Sequence, residues 1–170
     1  GQSIEVILKD DKQDPDTIKT VVNELLQKNV DAIIGPMTSS MAMASVQLAN
    51  ESQTLMMGAT VTTNSLSRID DYFFRTLSPT ADHASVTANN LLTHKDIKTV
   101  SAIYDVKNKA YTKDWLDDFT HTIEKHGGQL IKKKAFSSGN DCTFSSLADE
   151  LLIEEADVIV LIVNSVDAAL

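Results

Sequence analysis

An α/β protein built of parallel sheets is the fold this chain predicts. Three observations carry that expectation: short β-branched runs alternate with helical stripes, glycine or proline closes several of the runs, and the spacing suits right-handed βαβ crossovers with helices on both faces of the sheets.

The elements follow in order. Residues 4–8 form an apolar-rich run that meets a polar cluster at 9–14, the pattern of a strand running into a loop. Asp14-Pro15 then supplies an N-cap and a proline at the first helical position, where its missing N–H costs nothing. Ile18, Val21, Val22, Leu25 and Leu26 recur at helical spacing, one apolar stripe that packs on a sheet. Residues 30–34 read as a buried strand ended by the turn at Gly35-Pro36. A small-residue helix at 39–49 and strands at 54–57 and 72–74 repeat the pattern. After Pro79 a helix is expected at 82–92, then a strand at 99–104. The helix between Tyr111 and Lys125 carries Trp115, Leu116, Phe119 and Ile123 on one face and stops at Gly127-Gly128. A strand at 129–136, a polar turn at 137–141, a helix with Phe144, Leu147 and Leu151, and a strand at 158–163 complete the reading. Asp31 and Asp157 each stand between a helix end and an apolar strand, either as common loop chemistry or as the mark of two similar lobes in tandem. The stretch 75–80 is where one lobe would cross to the other.

Composition narrows the function. The 170 residues are 42% hydrophobic and 23% charged, an ordinary globular balance. A net charge of -9 repels polyanions, so nucleic acid is not an expected partner, and the triplet Lys132-Lys133-Lys134 reads as the solvated end of a strand. One cysteine, Cys142, excludes an intrachain disulfide and thiol-rich metal sites. No stretch approaches the roughly 18 apolar residues of a membrane-spanning helix, and the first residues carry no signal-peptide pattern.

Ligands of open parallel sheets sit beyond the carboxyl ends of the strands, which singles out two loops. Gly35 to Ser40 ends in hydroxyls and free N–H groups at a helix start. That suits a carboxylate, although Thr38 and Ser39 are also plain N-cap residues. Gly58-Ala59-Thr60 offers backbone carbonyls to an ammonium group, or is an ordinary turn. Catalytic constellations are missing. His83, His94, His121 and His126 are scattered, and Asp117 with His121 at i, i+4 falls short of three metal ligands. The glycines form no nucleotide fingerprint, and no serine sits in a nucleophile elbow. Asp70-Asp71 is expected to face water before a strand, and Asn50-Glu51-Ser52 is a glycosylation triplet too short to carry meaning. The expectation is a protein that is not an enzyme and uses no metal and no cofactor.

The order VDAIIGPMTSS (30–40), LMMGAT (55–60), YFFRTLSP (72–79) and VSAIYD (100–105), followed by Tyr111, resembles type I periplasmic binding proteins. Within them it is most similar to the branched-chain amino acid (Leu/Ile/Val) receptors of ABC transporters. The resemblance implies two Rossmann-like lobes with parallel sheets that close like a hinged clamp on a small molecule. Residues 1–76 would be part of the first lobe, 77–80 the crossover and 81–170 part of the second. By matching motif, Ser39 would donate to the α-carboxylate. Gly58 and Thr60 would offer carbonyls to the ammonium, Thr60 would also bind the carboxylate, and Ala59 lies between them. Thr38 stands where some members carry a cysteine, Met56-Met57 replaces a serine-proline, and Val61-Thr62 replaces an asparagine-proline. From the second lobe Tyr111 would close over the ligand, with Asn164 or Ser165 as a further contact.

The function implied is an extracytoplasmic receptor, periplasmic or extracellular and in some forms lipid-anchored, that delivers an amino acid or similar small carboxylate to ABC transporter membrane subunits. The alternative is a ligand-sensing input domain of a membrane signalling protein with the same fold. An α/β enzyme or response-regulator-like domain is a third reading, without a nameable acid–base pair. The resemblance also implies that the chain lacks the family's first strand and helix. The strand normally lies between the 4–8 and 30–34 strands, so the expectation is either an excerpt of a longer chain or a neighbouring chain that fills the gap in the sheet.

Overall fold

The Asp14 carboxylate accepts the Thr17 N–H at 2.7 Å and starts helix α1 (Pro15–Gln27), whose apolar stripe turns Ile18 and Val22 into the core. This is a computed structural model, and it describes residues 3–95, 97–139, 144–153 and 155–169. Cys142, the end of the polar turn at 137–141 and the side chain of His94 lie outside the described residues. The described chain divides into two compact units: one runs up to Thr62 and includes Leu66–Leu77, and the other comprises Thr63–Ser65 and the chain from Ser78 onward.

In the first unit α1 is followed by β1 (Ala32–Ile34), α2 (Ser39–Glu51), β2 (Leu55–Gly58) and β3 (Phe73–Arg75). The strands form one parallel sheet in the order β1-β2-β3. Period-2 alternation sends the row Ile33, Met56 and Phe73 inward, where it meets α1 and α2. The other row, Ile34, Met57 and Phe74, points away, and Ile34 is 73% and Phe74 55% exposed.

Two expectations are corrected here. Residues 4–8 form no strand: they join no sheet ladder, and Ile4, Val6 and Leu8 are exposed. An apolar run becomes a strand only when a ladder partner takes its N–H and C=O groups. The strand expected buried at 30–34 is only Ala32–Ile34, with Ile33 alone of the three buried, because α1 and α2 cover one face of this sheet and not both.

The second unit holds α3 (Thr80–Lys95), β4 (Thr99–Asp105), α4 (Lys109–Lys125), β5 (Gln129–Phe136), α5 (Phe144–Leu152) and β6 (Val158–Ile162), with parallel strand order β5-β4-β6. Central β4 is buried along most of its length. On one face α3 and α4 pack through Ala84, Ala88, Leu116, Phe119 and Ile123, and Trp115 stacks on Phe119 at 4.9 Å. On the other, Leu151 of α5 meets Ile103 and Phe136. α4 ends where the expected stop lies: Gly127 takes a φ of +85°, which favours glycine. Asp157 does more than lead into β6. Its carboxylate accepts the Lys98 N–H, the Thr99 N–H and the Thr99 hydroxyl at 2.8–2.9 Å, tying the starts of β6 and β4 together.

The three residues that unit 2 takes from the middle of unit 1 open a short 3-10 turn (Asn64–Leu66). Thr63 Oγ1 donates to Asp114 Oδ2 at 2.7 Å, and the Asn64 N–H donates to the same oxygen at 3.2 Å. Asn64 Nδ2 donates to Asp118 Oδ2 at 2.7 Å, while Asn64 Oδ1 accepts the Ala81 N–H from the first turn of α3 at 3.1 Å.

Candidate functional site

Parallel pairing brings the carboxyl ends of β1 and β2 side by side, and the Gly35 N–H donates to the Met57 carbonyl at 2.9 Å as the strands end. The two loops beyond are then laced together. The Thr60 hydroxyl donates to the Met37 carbonyl, and Ser39 Oγ accepts the Thr62 N–H at 3.2 Å. A third loop joins them from β3: the Thr76 N–H reaches the Gly58 carbonyl at 3.4 Å, and the Thr76 hydroxyl donates to the Ala59 carbonyl at 2.9 Å. Thr38, Ser39, Gly58, Ala59 and Thr60 are therefore brought to one rim of the first unit.

Their environments differ. Thr38 is the half-buried N-cap of α2, its Oγ1 accepting the Met41 N–H at 3.4 Å, as the capping reading expects. Ser39 is 1% exposed, so its hydroxyl lies under the rim, whereas Thr60 is exposed. Gly58 is needed for packing, since a Cβ there would stand 2.8 Å from Val61 Cγ2 and 3.0 Å from Phe73 Cζ. The loop sequences 35–40, 58–62 and 75–76 contain no acidic residue. With the N-terminal N–H groups of α2 at the rim, the local potential favours an anion.

In the second unit, Tyr111 and Asn164 follow the carboxyl ends of the adjacent strands β4 and β6. Tyr111 sits in the first turn of α4, half-buried against the α3–α4 core, and burial pushes its phenol pKa above the ordinary value. Asn164 is heavily engaged. Its Nδ2 donates to Asp167 Oδ2 at 2.6 Å and to Ser138 Oγ at 3.1 Å, and its Oδ1 accepts the Val166 and Asp167 N–H groups at 2.9 Å. These bonds cap the short turn at Asp167–Ala169; Ser165 beside it is exposed.

Asp105, at the end of β4, was not among the expected site residues. It is buried, its Oδ1 accepts the Lys107 and Ser138 N–H groups at 2.9 and 3.0 Å, and its carbonyl accepts the Thr112 hydroxyl at 2.6 Å. One side chain thus fixes the loops after β4 and β5. A carboxylate closing an apolar strand is the signal that could have marked it. An apolar hollow of about 180 Å³ lies between α5 and β6, lined by Phe144, Leu147, Leu151, Leu161 and Val163 among others. Among the described residues, no three His, Cys, Asp or Glu side chains are grouped to hold a metal ion, and no helix is long and apolar enough to cross a membrane.

A family model described as "Periplasmic binding protein" matches residues 1–170. The chain is 26% identical over 160 residues to the Leu/Ile/Val-binding protein BraC3 of Rhizobium johnstonii, covering 94% of this chain and 43% of that protein. It thus spans less than half the length of the curated relatives it matches. Among solved structures, the leucine binding protein LivK of Thermotoga maritima aligns with a TM-score of 0.85 at 22% identity, over 95% of this chain and 45% of its own. A solute binding protein of an ABC transporter from R. palustris, in complex with benzoate, aligns at 0.87 and 19% identity, over 96% of this chain and 45% of its own. Both structures share the α/β fold with parallel sheets.

Proposed function

The chain belongs to the periplasmic binding protein family, and from that premise we propose that it serves in an extracytoplasmic receptor that captures an amino acid or a similar small carboxylate for an ABC importer. The observation that carries this reading is the lacing of the post-strand loops, in which Thr60 is bonded to the Met37 carbonyl and Ser39 to the Thr62 N–H. A ligand carboxylate is received at the α2 N-terminus by Thr38, Ser39 and the Thr60 segment. The ammonium group is received by the Gly58 and Thr60 carbonyls, with Ala59 between them in the same loop. Tyr111 and Asn164 or Ser165 are proposed as contacts from the second unit. The binding partners named for similar proteins, leucine, isoleucine and valine in one case and benzoate in the other, share a carboxylate, which is the group the rim's potential favours.

The test is a thermal-shift titration of the full-length protein with leucine, leucine amide, 4-methylpentanoate and benzoate. A ligand at 100 times its Kd should add about 2.7 kcal/mol. If both charged groups are gripped, leucine alone stabilises; if only the carboxylate is, 4-methylpentanoate or benzoate also does. Ser39→Ala and Thr60→Ala should remove the response while the ligand-free melting curve stays cooperative. Stabilisation by leucine amide equal to that by leucine would overturn the carboxylate site.

A further inference from the structure

Successive carbonyls of a central strand alternate between its two neighbours, and β2 keeps that alternation to its end. The Met57 carbonyl accepts the Gly35 N–H at 2.9 Å on the β1 side, and the Gly58 carbonyl accepts the Thr76 N–H at 3.4 Å on the β3 side. Continued, the pattern would turn the Ala59 carbonyl back to the β1 side, where the loop 35–40 and the start of α2 lie. It stays on the β3 side instead, held by the Thr76 hydroxyl at 2.9 Å. The peptides Gly58–Ala59 and Ala59–Thr60 are trans, so each N–H points opposite to the carbonyl it shares a plane with. The Ala59 and Thr60 N–H groups therefore both face the β1 side, where the Thr60 hydroxyl already reaches the Met37 carbonyl. Neither N–H is taken by a hydrogen bond among the described residues. All of these groups belong to the first unit.

We propose that Thr76 is a positioning residue for the carboxylate site: by keeping the Ala59 carbonyl off the β1 side, its hydroxyl presents two successive N–H groups to a bound carboxylate. Consecutive N–H groups on one side of a chain make an anion-binding concavity, and a charged acceptor makes the stronger class of hydrogen bond. Without the Thr76 hydroxyl, the Ala59–Thr60 peptide is free to turn over. The Thr60 N–H would then leave the β1 side, and a carbonyl oxygen that repels a carboxylate would take its place. The role of Thr76 in ligand binding rests on the function proposed above; the orientation it imposes on the two N–H groups does not.

Two variants of the full-length protein, Thr76→Val and Thr76→Ser, separate orientation from binding. Thr76 is exposed, so valine removes the hydroxyl without disturbing the core. Residual dipolar couplings of the ligand-free proteins read the direction of the Ala59 and Thr60 N–H vectors. The Thr60 vector should turn in Thr76→Val and return in Thr76→Ser. The Ala59 vector should move less, because the carbonyl in its peptide is held by the backbone N–H of residue 76. For each of leucine and 4-methylpentanoate that wild type binds in isothermal titration, the Kd should rise about tenfold or more in Thr76→Val and stay near wild type in Thr76→Ser. A purely structural role would lower the urea midpoint and leave both the vectors and the Kd in place. An unmoved Thr60 vector in Thr76→Val would overturn the positioning, and a turned vector with an unchanged Kd would overturn its link to the ligand. If wild type binds neither acid, the proposed function fails and the ligand link with it, while the couplings still decide the orientation.

Discussion

Gly58→Ala separates the packing role of the rim from its chemistry. The added Cβ would lie 2.8 Å from Val61 Cγ2, 3.0 Å from Val61 Cβ and 3.0 Å from Phe73 Cζ. Relaxed carbon contacts lie at about 3.5–4.0 Å, so the neighbours must yield by roughly 0.5–1 Å. Val61 is fully buried and Phe73 nearly so, leaving them nowhere open to go. Overpacking of this kind costs about 1–3 kcal/mol. Alanine's smaller unfolded-state freedom offsets about 0.4–1 kcal/mol, leaving a net loss of at most about 2.5 kcal/mol. The single tryptophan of the chain lies in the other unit, so its fluorescence is the wrong probe. Native-state exchange of the Met56 and Met57 amides in β2 reports the right one. Val61→Ala removes the methyl carbon in closest conflict, so the double variant should be less destabilised than the two singles summed, by about 1 kcal/mol. Additivity within about 0.5 kcal/mol would refute the steric account.

Three further outcomes are expected. Phe119→Ala removes a buried ring stacked on Trp115 and should lower the stability of the second unit by about 3–5 kcal/mol in urea unfolding read by tryptophan fluorescence. Asp157 has its pKa lowered from the ordinary 3.8 by the Lys98 and Thr99 N–H groups and the Thr99 hydroxyl. Its contribution is therefore present above that value and lost as the pH falls through the lower folded value. Asp157→Asn should flatten the fall in urea midpoint below pH 4, and an unchanged slope would count against the assignment. The Tyr111 phenol, raised by burial, should ionise above its ordinary value of 10.0, visible as the component that Tyr111→Phe removes from an ultraviolet titration.

Much of the fold was legible because its signals are local. The Asp14-Pro15 start of α1, the apolar stripe with Ile18 and Val22, and the Gly127 stop of α4 each lie within a few residues of what they specify. Residues 4–8 failed for the opposite reason: their apolar content resembles that of a strand, but pairing depends on a partner elsewhere in space. Ile34 was misjudged likewise, since a sequence does not say how many faces of a sheet are covered. At the rim, the meeting of the 35–40 and 58–60 loops followed from strand order. The depth of Ser39 and the engagement of the Gly58 and Ala59 carbonyls did not, because both depend on Thr62 and Thr76 arriving from other loops. Asp114 and Asp118 carry no local signal, since their partners Thr63 and Asn64 lie about fifty positions earlier.

Thr76 holds two successive carbonyls of a loop that belongs to the preceding strand. The direction in which those dipoles point is thus governed from β3, outside the segment that bears them. Changing residue 76 to proline would therefore free both carbonyls while leaving the sequence Gly58-Ala59-Thr60 intact.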